Sequence, residues 1–320
     1  MTTILGYLGA YGNCFFIICS AWFLIDSNKV KMYKVCRMLS DVWIFSVISL
    51  GITFAFFCPP LLIIIKSLMP NAYGLYWFIT CYAIFYVLHP ALNSIEHSLP
   101  KKELLQLSLF LFVVYFVIYF LVPKAVLYYN YLLGFCCIYI ILGYLKLYLP
   151  NLMDNFKINV IILVFSLLFM AFLLVSVNFI FLRISPLTGH LKYFSNFNNG
   201  IIFLTCMSCF NVFRIKQVSW VNNRVNYLSS LTLLVYIIHE NYFYANYCRH
   251  LYYDYIFDHF GVNNIFFFTL LHGLITFIVA YMIAILYDKS IRGLWYKLIQ
   301  YIYNISKVKV SFMIEKIEKM

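Results

Sequence analysis

Long apolar runs separated by short polar breaks dominate the chain, and the length of the runs sets the first expectation. A helix needs about 20 apolar residues to cross a bilayer. Nine stretches meet or approach that length: 4–25, 39–57, 73–92, 104–122, 126–145, 158–182, 200–213, 227–244 and 264–286. The pattern predicts an all-α, polytopic helical membrane bundle of about nine transmembrane helices. Between the second and third runs, Pro59 and Pro60 stop the helix, and the LLIIIKSLM just after them has the composition of a segment lying along the interface. Residues 288–320 alternate Leu, Ile, Tyr and Val with Lys297, Lys307, Lys309, Lys316 and Lys319. That alternation predicts a basic amphipathic tail on anionic lipid, so the expected organisation is a membrane domain over 1–287 and a cytoplasmic tail over 288–320. The sequence shows no internal repeat, no low-complexity linker and no long soluble domain.

Composition agrees with the pattern. The chain is 64% hydrophobic and 11% charged, with a mean hydropathy of +0.88, against roughly 25% charged residues in soluble domains. A formal charge of +12 suggests nucleic acid until the cations are placed. If alternate loops and the C-terminus are assigned to the cytoplasm, every Lys and Arg falls there except Lys66, Lys124, Arg183, Lys192 and Arg249. Cytoplasmic loops of membrane proteins retain such residues, so the charge is an orientation signal and no nucleic-acid partner is needed. Nine spans with the C-terminus inside place the N-terminus outside. The cysteines lie mostly inside apolar runs and form no disulfide framework. Cys206 and Cys209 make a CxxC whose surroundings read as packing within a span. The start, MTTILGYLG, lacks the basic segment of a signal peptide.

Candidate chemistry centres on residues 229–244, SSLTLLVYIIHENYFY, an apolar run that ends in His239, Glu240 and Asn241. An imidazole beside a carboxylate is costly in hydrocarbon, and such a pair either marks function or ends a helix at the aqueous boundary. Glu240 can orient and support His239 as a general base. His272, inside the last run, is placed so that it and His239 can face one outward cavity; the alternative for His272 is a hydrogen-bonded packing role. On the other side, Lys34 and Arg37 lie one helical turn apart, a spacing that suits the phosphates of a coenzyme A thioester as well as simple orientation by charge. Asp41 is placed to pair with Arg37 four residues earlier. Pro90 is expected to bend or end the third helix, with Asn93 capping the next segment and His89 in a structural role. The stretches 184–200 and 242–261 read as outer loops in which Arg183, His190, Lys192, Arg249, His250, Asp254, Asp258 and His259 are interleaved with Tyr and Phe, a mixture suited to stacking on sugars or to an interfacial aromatic belt. Neither His250 nor His259 has a spacing that specifies a metal site.

Several stretches together resemble the integral-membrane acyltransferase family 3. GYLGAYGNCFFIICSAWFLID is similar to the family's second helix, with Ser20, Trp22, Phe23 and Leu24 in register and Ala21 in place of the usual Gly. LMPNAYGLYWFITCYAIFYVLHPALN matches a further motif at Pro70, Tyr76, Trp77, Phe78, Tyr82, Pro90, Leu92 and Asn93. VNNRVNYLSSLTLLVYIIHEN looks like a late helix, matched at Val235, Tyr236, Ile238, His239 and Glu240, with Asn241 next in the chain. The resemblance implies transfer of an acyl group, most often acetyl, from cytoplasmic acyl-CoA to a hydroxyl of a cell-surface or lipid-linked glycan at a bacterial plasma membrane, with no bound cofactor and with glycan-assembly proteins as partners. It implies donor binding by Lys34 and Arg37 and a functional role for His239 and Glu240. The family's first helix carries an Arg and a His that have no counterpart here, so a further leading span is expected upstream, or a catalytically silent member. A transporter or flippase for a lipid-linked glycan would share the polar residues in spans and the aromatic outer loops.

Overall fold

In the computed structural model, residues 2–118, 130–181, 196–197, 199–216 and 222–318 are described. The helices in chain order are α1 (Thr2–Leu24), α2 (Met32–Phe56), α3 (Leu61–Leu68), α4 (Trp77–Ser98), α5 (Lys101–Phe112), α6 (Tyr131–Tyr148), α7 (Phe156–Phe181), α8 (Gly200–Lys216), α9 (Asn223–Ser230), α10 (Thr232–His239), α11 (Arg249–Tyr287) and α12 (Gly293–Glu318). A π-helical turn, Val113–Ile118, extends α5, and others at Tyr244–Cys248 and Asp288–Arg292 flank α11. Among the described residues, five stretches are long and apolar enough to cross a membrane: Met32–Phe56, Trp77–Ser98, Tyr131–Tyr148, Phe156–Ser176 and Phe267–Val308; Gly9–Leu24 is a shorter apolar helix. Large apolar side chains stay exposed along them, among them Ile161, Phe165, Leu168, Phe172 and Val175 on α7 and Leu274, Phe277, Ile278 and Met282 on α11. A soluble surface does not tolerate so continuous an apolar stripe, whereas lipid solvates it. The protein is an all-α membrane protein.

The chain divides into two compact units, Met1–Val30 with Ile84–Trp220, and Lys31–Ala83 with Val221–Met320; the division falls inside α4. In the first unit α8 packs on α7 and α1, and α6 packs on α1 and α5. Polar side chains close helix ends and lock neighbours. Asn130 caps α6 by accepting from Leu132 N at 2.8 Å, and Thr205 on α8 donates to Ser166 on α7 at 2.9 Å. In the second unit the core is built from Val42, Phe45, Tyr76, Ile79, Leu234, Ile237, Ala280 and Ala284, with Tyr287 beside them.

Four expectations change here. First, Pro90 does not end α4, which runs on to Ser98. Proline has no N–H, so its ring position leaves the carbonyl four residues back without a helical partner; that carbonyl is Tyr86 O, and His89 Nδ1 donates to it at 2.5 Å. Second, Asn93 caps the end of α1 and nothing in α4. Its Nδ2 donates to Leu24 O at 3.1 Å, Ser27 O at 3.0 Å and Asn28 Oδ1 at 2.9 Å, while its Oδ1 accepts from Tyr139 OH at 2.5 Å. The last carbonyls of a helix have no partner of their own, and one amide supplies it. We expect Asn93→Ala to lower stability by about 1–3 kcal/mol, the cost of stranding buried polar groups, and Tyr139→Phe by less, read as thermal midpoints of the protein in lipid nanodiscs.

Third, the expected single helix over 227–244 is three pieces: α9, α10 and the turn after His239. Each of the two helices has 8 residues, or roughly 12 Å of rise. Fourth, the expected outer loop at 242–261 is helical, and α11 begins at Arg249. The helix does not stop at 288 but continues through Asp288–Arg292 into α12. The helical stretch Phe267–Val308, which contains an apolar window, has 42 residues, roughly 63 Å of rise against a hydrocarbon core of about 30 Å, so only part of it can lie across one bilayer. The other expected outer loop, 184–200, with His190 and Lys192 and with Arg183 just before it, lies almost wholly outside the described residues.

Candidate functional site

The second unit carries two polar stations on α2. The first is at the break after α10. His239 is the last residue of that helix and Glu240 its C-cap, so the pair terminates a helix. His239 Nδ1 lies 2.8 Å from Val235 O. A carbonyl can only accept, so Nδ1 carries the proton and Nε2 faces the carboxylate, 3.5 Å from Glu240 Oε1. Arg249, at the start of α11, closes the group: its Nη2 donates to Glu240 Oε1 at 2.9 Å and to His239 O at 3.1 Å. The side chains of His239 and Arg249 are each 34% exposed and that of Glu240 37%, so the group is organised yet reachable.

Asn241 holds the break together. Its Oδ1 accepts from Tyr244 N at 3.0 Å and from Ser49 Oγ on α2 at 3.0 Å, its Nδ2 donates to Ile238 O, and Ser49 Oγ accepts in turn from Phe243 N at 3.1 Å. One amide thus serves the end of α10 and the start of the next turn. Tyr244 carries the group onward. Arg249 lies over its ring at 5.5 Å, and its OH is 2.8 Å from His272 Nε2 and 2.5 Å from Thr276 Oγ1. His272 also stacks on Tyr252 at 4.2 Å. His239 and His272 therefore belong to one network, joined through Arg249 and Tyr244. Phe57 stacks on Tyr247 at 4.2 Å beside Tyr242 and Phe243, which puts an aromatic floor next to the charged group. Tyr76, buried with its OH unpartnered, and Tyr236 lie within the field of Glu240, and Tyr236 meets His239 edge-on at 5.8 Å.

The second station is at the opposite end of α2. The ion pair expected between Arg37 and Asp41 does not form. Asp41 is buried and turns to the C-terminal helix, where its Oδ1 accepts from Tyr287 OH at 2.9 Å and its Oδ2 from Tyr296 OH at 2.6 Å and Arg292 Nη2 at 3.2 Å. Arg292 is shared with Asp288 at 2.8 Å, and Tyr227 OH donates to Asp288 at 3.0 Å. Two phenols and a guanidinium satisfy a buried carboxylate better than one arginine on the same helix. Arg37 instead lies over the rings of Tyr296 at 4.7 Å and Tyr33 at 5.3 Å and donates to Gln300 at 2.8 Å. Lys34, one turn earlier, is exposed. Trp43 stacks on Trp295 at 6.2 Å. One face of the first turns after residue 288 therefore packs on α2, while Ile291, Leu294 and Leu298 stay exposed.

Among the first-unit residues on which the sequence resemblance rests, Ser20 is half-buried on α1, and Pro90 and Asn93 have the roles given above; Trp77, in the second unit, packs edge-on against Phe78 at 5.5 Å. Cys206 is buried on α8 with its Sγ 3.4 Å from Tyr11 O. His250, Asp254, Asp258 and His259 are exposed along α11, with His259 stacked on Tyr255 at 4.1 Å. Sequence alone does not single out Ser49, Tyr244 and Thr276, hydroxyl residues indistinguishable by type from their many neighbours, and it leaves Arg292, Tyr287 and Tyr296 in or beside a surface tail. Comparison with protein families, with curated proteins and with solved structures finds no match.

Proposed function

We propose that this protein is a membrane-bound O-acyltransferase of the acyltransferase 3 type, with about nine spans and a cytoplasmic C-terminus in a bacterial plasma membrane, moving an acyl group, most simply acetyl, from acyl-CoA to a glycan hydroxyl. The observation that carries the reading is the His239–Glu240–Arg249 group. Its fixed tautomer leaves Nε2 as the basic atom, with a carboxylate 3.5 Å away to stabilise the imidazolium once a proton arrives. In the reaction Nε2 takes the acceptor hydroxyl's proton, the oxygen bonds to the acyl carbon, the C–S bond breaks, and the coenzyme leaves as its thiol after regaining a proton. Lys34 and Arg37 hold the donor's phosphates, with Arg37 steadied by Tyr296 and Gln300. The two stations are separated by the helix from Arg37 to Ser49, roughly 18 Å of rise. The donor's phosphates stay at Lys34 and Arg37 while its extended pantetheine arm carries the acyl thioester toward His239, so the charged nucleotide does not have to enter hydrocarbon, where it would be expensive.

The test is transfer of labelled acetyl from acetyl-CoA to glycan in membranes holding the full-length protein. His239→Ala is expected to reduce product formation roughly 10²–10⁴-fold, the contribution of a general base, and Arg37→Ala to raise the donor KM. Unchanged product at normal expression removes both residues from the mechanism. The broken helix over 223–244 favours one second reading, a glycan transporter or flippase, because transport sites use discontinuous helices. Movement of an unmodified lipid-linked glycan across proteoliposomes without any acyl donor would decide for it.

A further inference from the structure

The first unit holds a buried acid that the proposed acyl transfer does not use. Glu96 on α4 is fully buried, and neither carboxyl oxygen has a hydrogen-bond partner. It faces α6, where its carboxyl fills the space that a side chain at Gly143 would take. The two helices meet along matched rows: His89, Asn93 and Glu96 on α4, and Tyr139, Gly143 and Lys146 on α6, each at spacings that keep residues on one helix face. Tyr139 bonds Asn93 at 2.5 Å, and Glu96 meets Gly143 one turn on. Lys146 comes next, and its charge reaches Glu96, but its ammonium is committed elsewhere. Nζ donates to Asp26 Oδ2 at 2.6 Å and to Trp22 O at 2.7 Å, and lies 4.5 Å over the Trp22 ring.

An ionised carboxylate with no partner inside a membrane bundle costs several kcal/mol or more. Lys146 could neutralise it only by leaving Asp26. A metal cation would need several converging oxygens, and Asn93 Oδ1, the amide oxygen on the same row, already accepts from Tyr139. Among the described residues, the charged and titratable groups around Glu96 are thus Lys146 and Tyr139 on α6, with Asp26 behind Lys146; His89, two turns earlier on α4, also has a buried, unpartnered Nε2. Lys101 at the start of α5 is turned to the Tyr148 ring, 5.6 Å away.

We propose that Glu96 is a proton-binding site: it holds a proton while Lys146 is bound to Asp26, and it gives that proton up to water and takes the Lys146 ammonium when Asp26 releases it. In the exchange the Lys146 bonds to Asp26 and the Trp22 carbonyl break, the carboxyl O–H breaks, and one ammonium–carboxylate pair forms. The Trp22 ring, which also carries Arg214 at 4.4 Å, then loses one of its two cations. This couples protonation in the span to the arrangement of the unit's charged end.

Infrared difference spectroscopy of the full-length protein in lipid nanodiscs tests it. At neutral pH the wild type should show a protonated-carboxyl C=O stretch that is absent in Glu96→Gln and indifferent to replacement of Na⁺ by K⁺ or choline. Asp26→Asn, an exposed change that leaves the core intact, should abolish the same band at the same pH because Lys146 is freed to pair with Glu96. The proposal is overturned if wild type and Glu96→Gln give the same carboxyl region, if Na⁺ alone removes the band, or if Asp26→Asn leaves it in place. The Asp26→Asn result stands even if Glu96→Gln fails to fold.

Discussion

Gly143→Ala is expected to lower the thermal midpoint of the nanodisc-embedded protein sharply, whereas the same methyl added at Gly51 or Gly273 leaves it unchanged or raises it. A Cβ at 143 overlaps the Glu96 carboxyl, but at 51 or 273 it meets nothing. Alanine is the better helix former by about 0.5–1 kcal/mol, so the two control sites should gain slightly. At 143 that gain is overwhelmed. Overpacking a close-packed interior costs about 1–3 kcal/mol and sometimes more, and here the group that must move is a carboxyl buried between two helices. Glu96 lies between α4 and α6, and one turn from Gly143 on either side are the Tyr139–Asn93 bond and the Lys146–Asp26 pair. Adding Glu96→Ala should recover part of the loss by clearing the overlap. If Gly143→Ala alone behaves like the control sites, the helices are not seated as described, and the proton site fails with them.

How much of this is legible in the sequence depends on the kind of signal. Helix content and membrane character come from apolar run length, a property that survives any arrangement of neighbours. The breaks do not. Pro90 reads as a stop, yet His89 supplies the missing donor to Tyr86 O and the helix continues; the rescue depends on a rotamer, which composition does not encode. Conversely, 227–244 reads as one span because Leu231 and Asn241 carry no strong breaker signal, yet the chain turns at both. The long run past 244 reads as a loop because Arg, His, Asp and Tyr crowd it, though none of them opposes a helix and no Gly or Pro interrupts 242–260.

The candidate site is half visible for a related reason. His239 and Glu240 are adjacent in sequence, so their pairing can be read directly. Arg249, Tyr244 and His272 join them only because α11 returns along the break, and such returns leave no trace in local spacing. Asp41 shows the failure in its clearest form. The rule for residues four apart points to Arg37, but that rule describes exposed helix faces, and Asp41 is buried against a helix some 250 residues further along.

Asp41→Ala is expected to detach the C-terminal helix. The substitution removes the acceptor of three hydrogen bonds at once: Tyr287 OH, Tyr296 OH and the Arg292 guanidinium. Breaking one side of a buried ion pair costs about 3–5 kcal/mol, because the surviving charge stays desolvated. Asp288 still holds Arg292 at 2.8 Å, so the lower part of that range applies to the charge, with the stranded phenols adding to it. Asp41→Asn keeps an oxygen for one phenol and should cost less. Limited trypsinolysis in nanodiscs gives a direct readout, with Arg292, which Asp41 holds and which is half-buried, becoming cleavable in Asp41→Ala while it is protected in the wild type. The loss should also reach the donor station, since Tyr296 is both a ligand of Asp41 and the ring under Arg37. Acyl-donor KM should therefore rise in Asp41→Ala even though Asp41 is not one of the two donor-binding cations, and Tyr296→Phe, which keeps the ring and loses only the hydroxyl, should leave the KM near wild type. A wild-type protease pattern in Asp41→Ala would mean that the Trp43–Trp295 stack and the apolar seam hold α12 without the buried carboxylate.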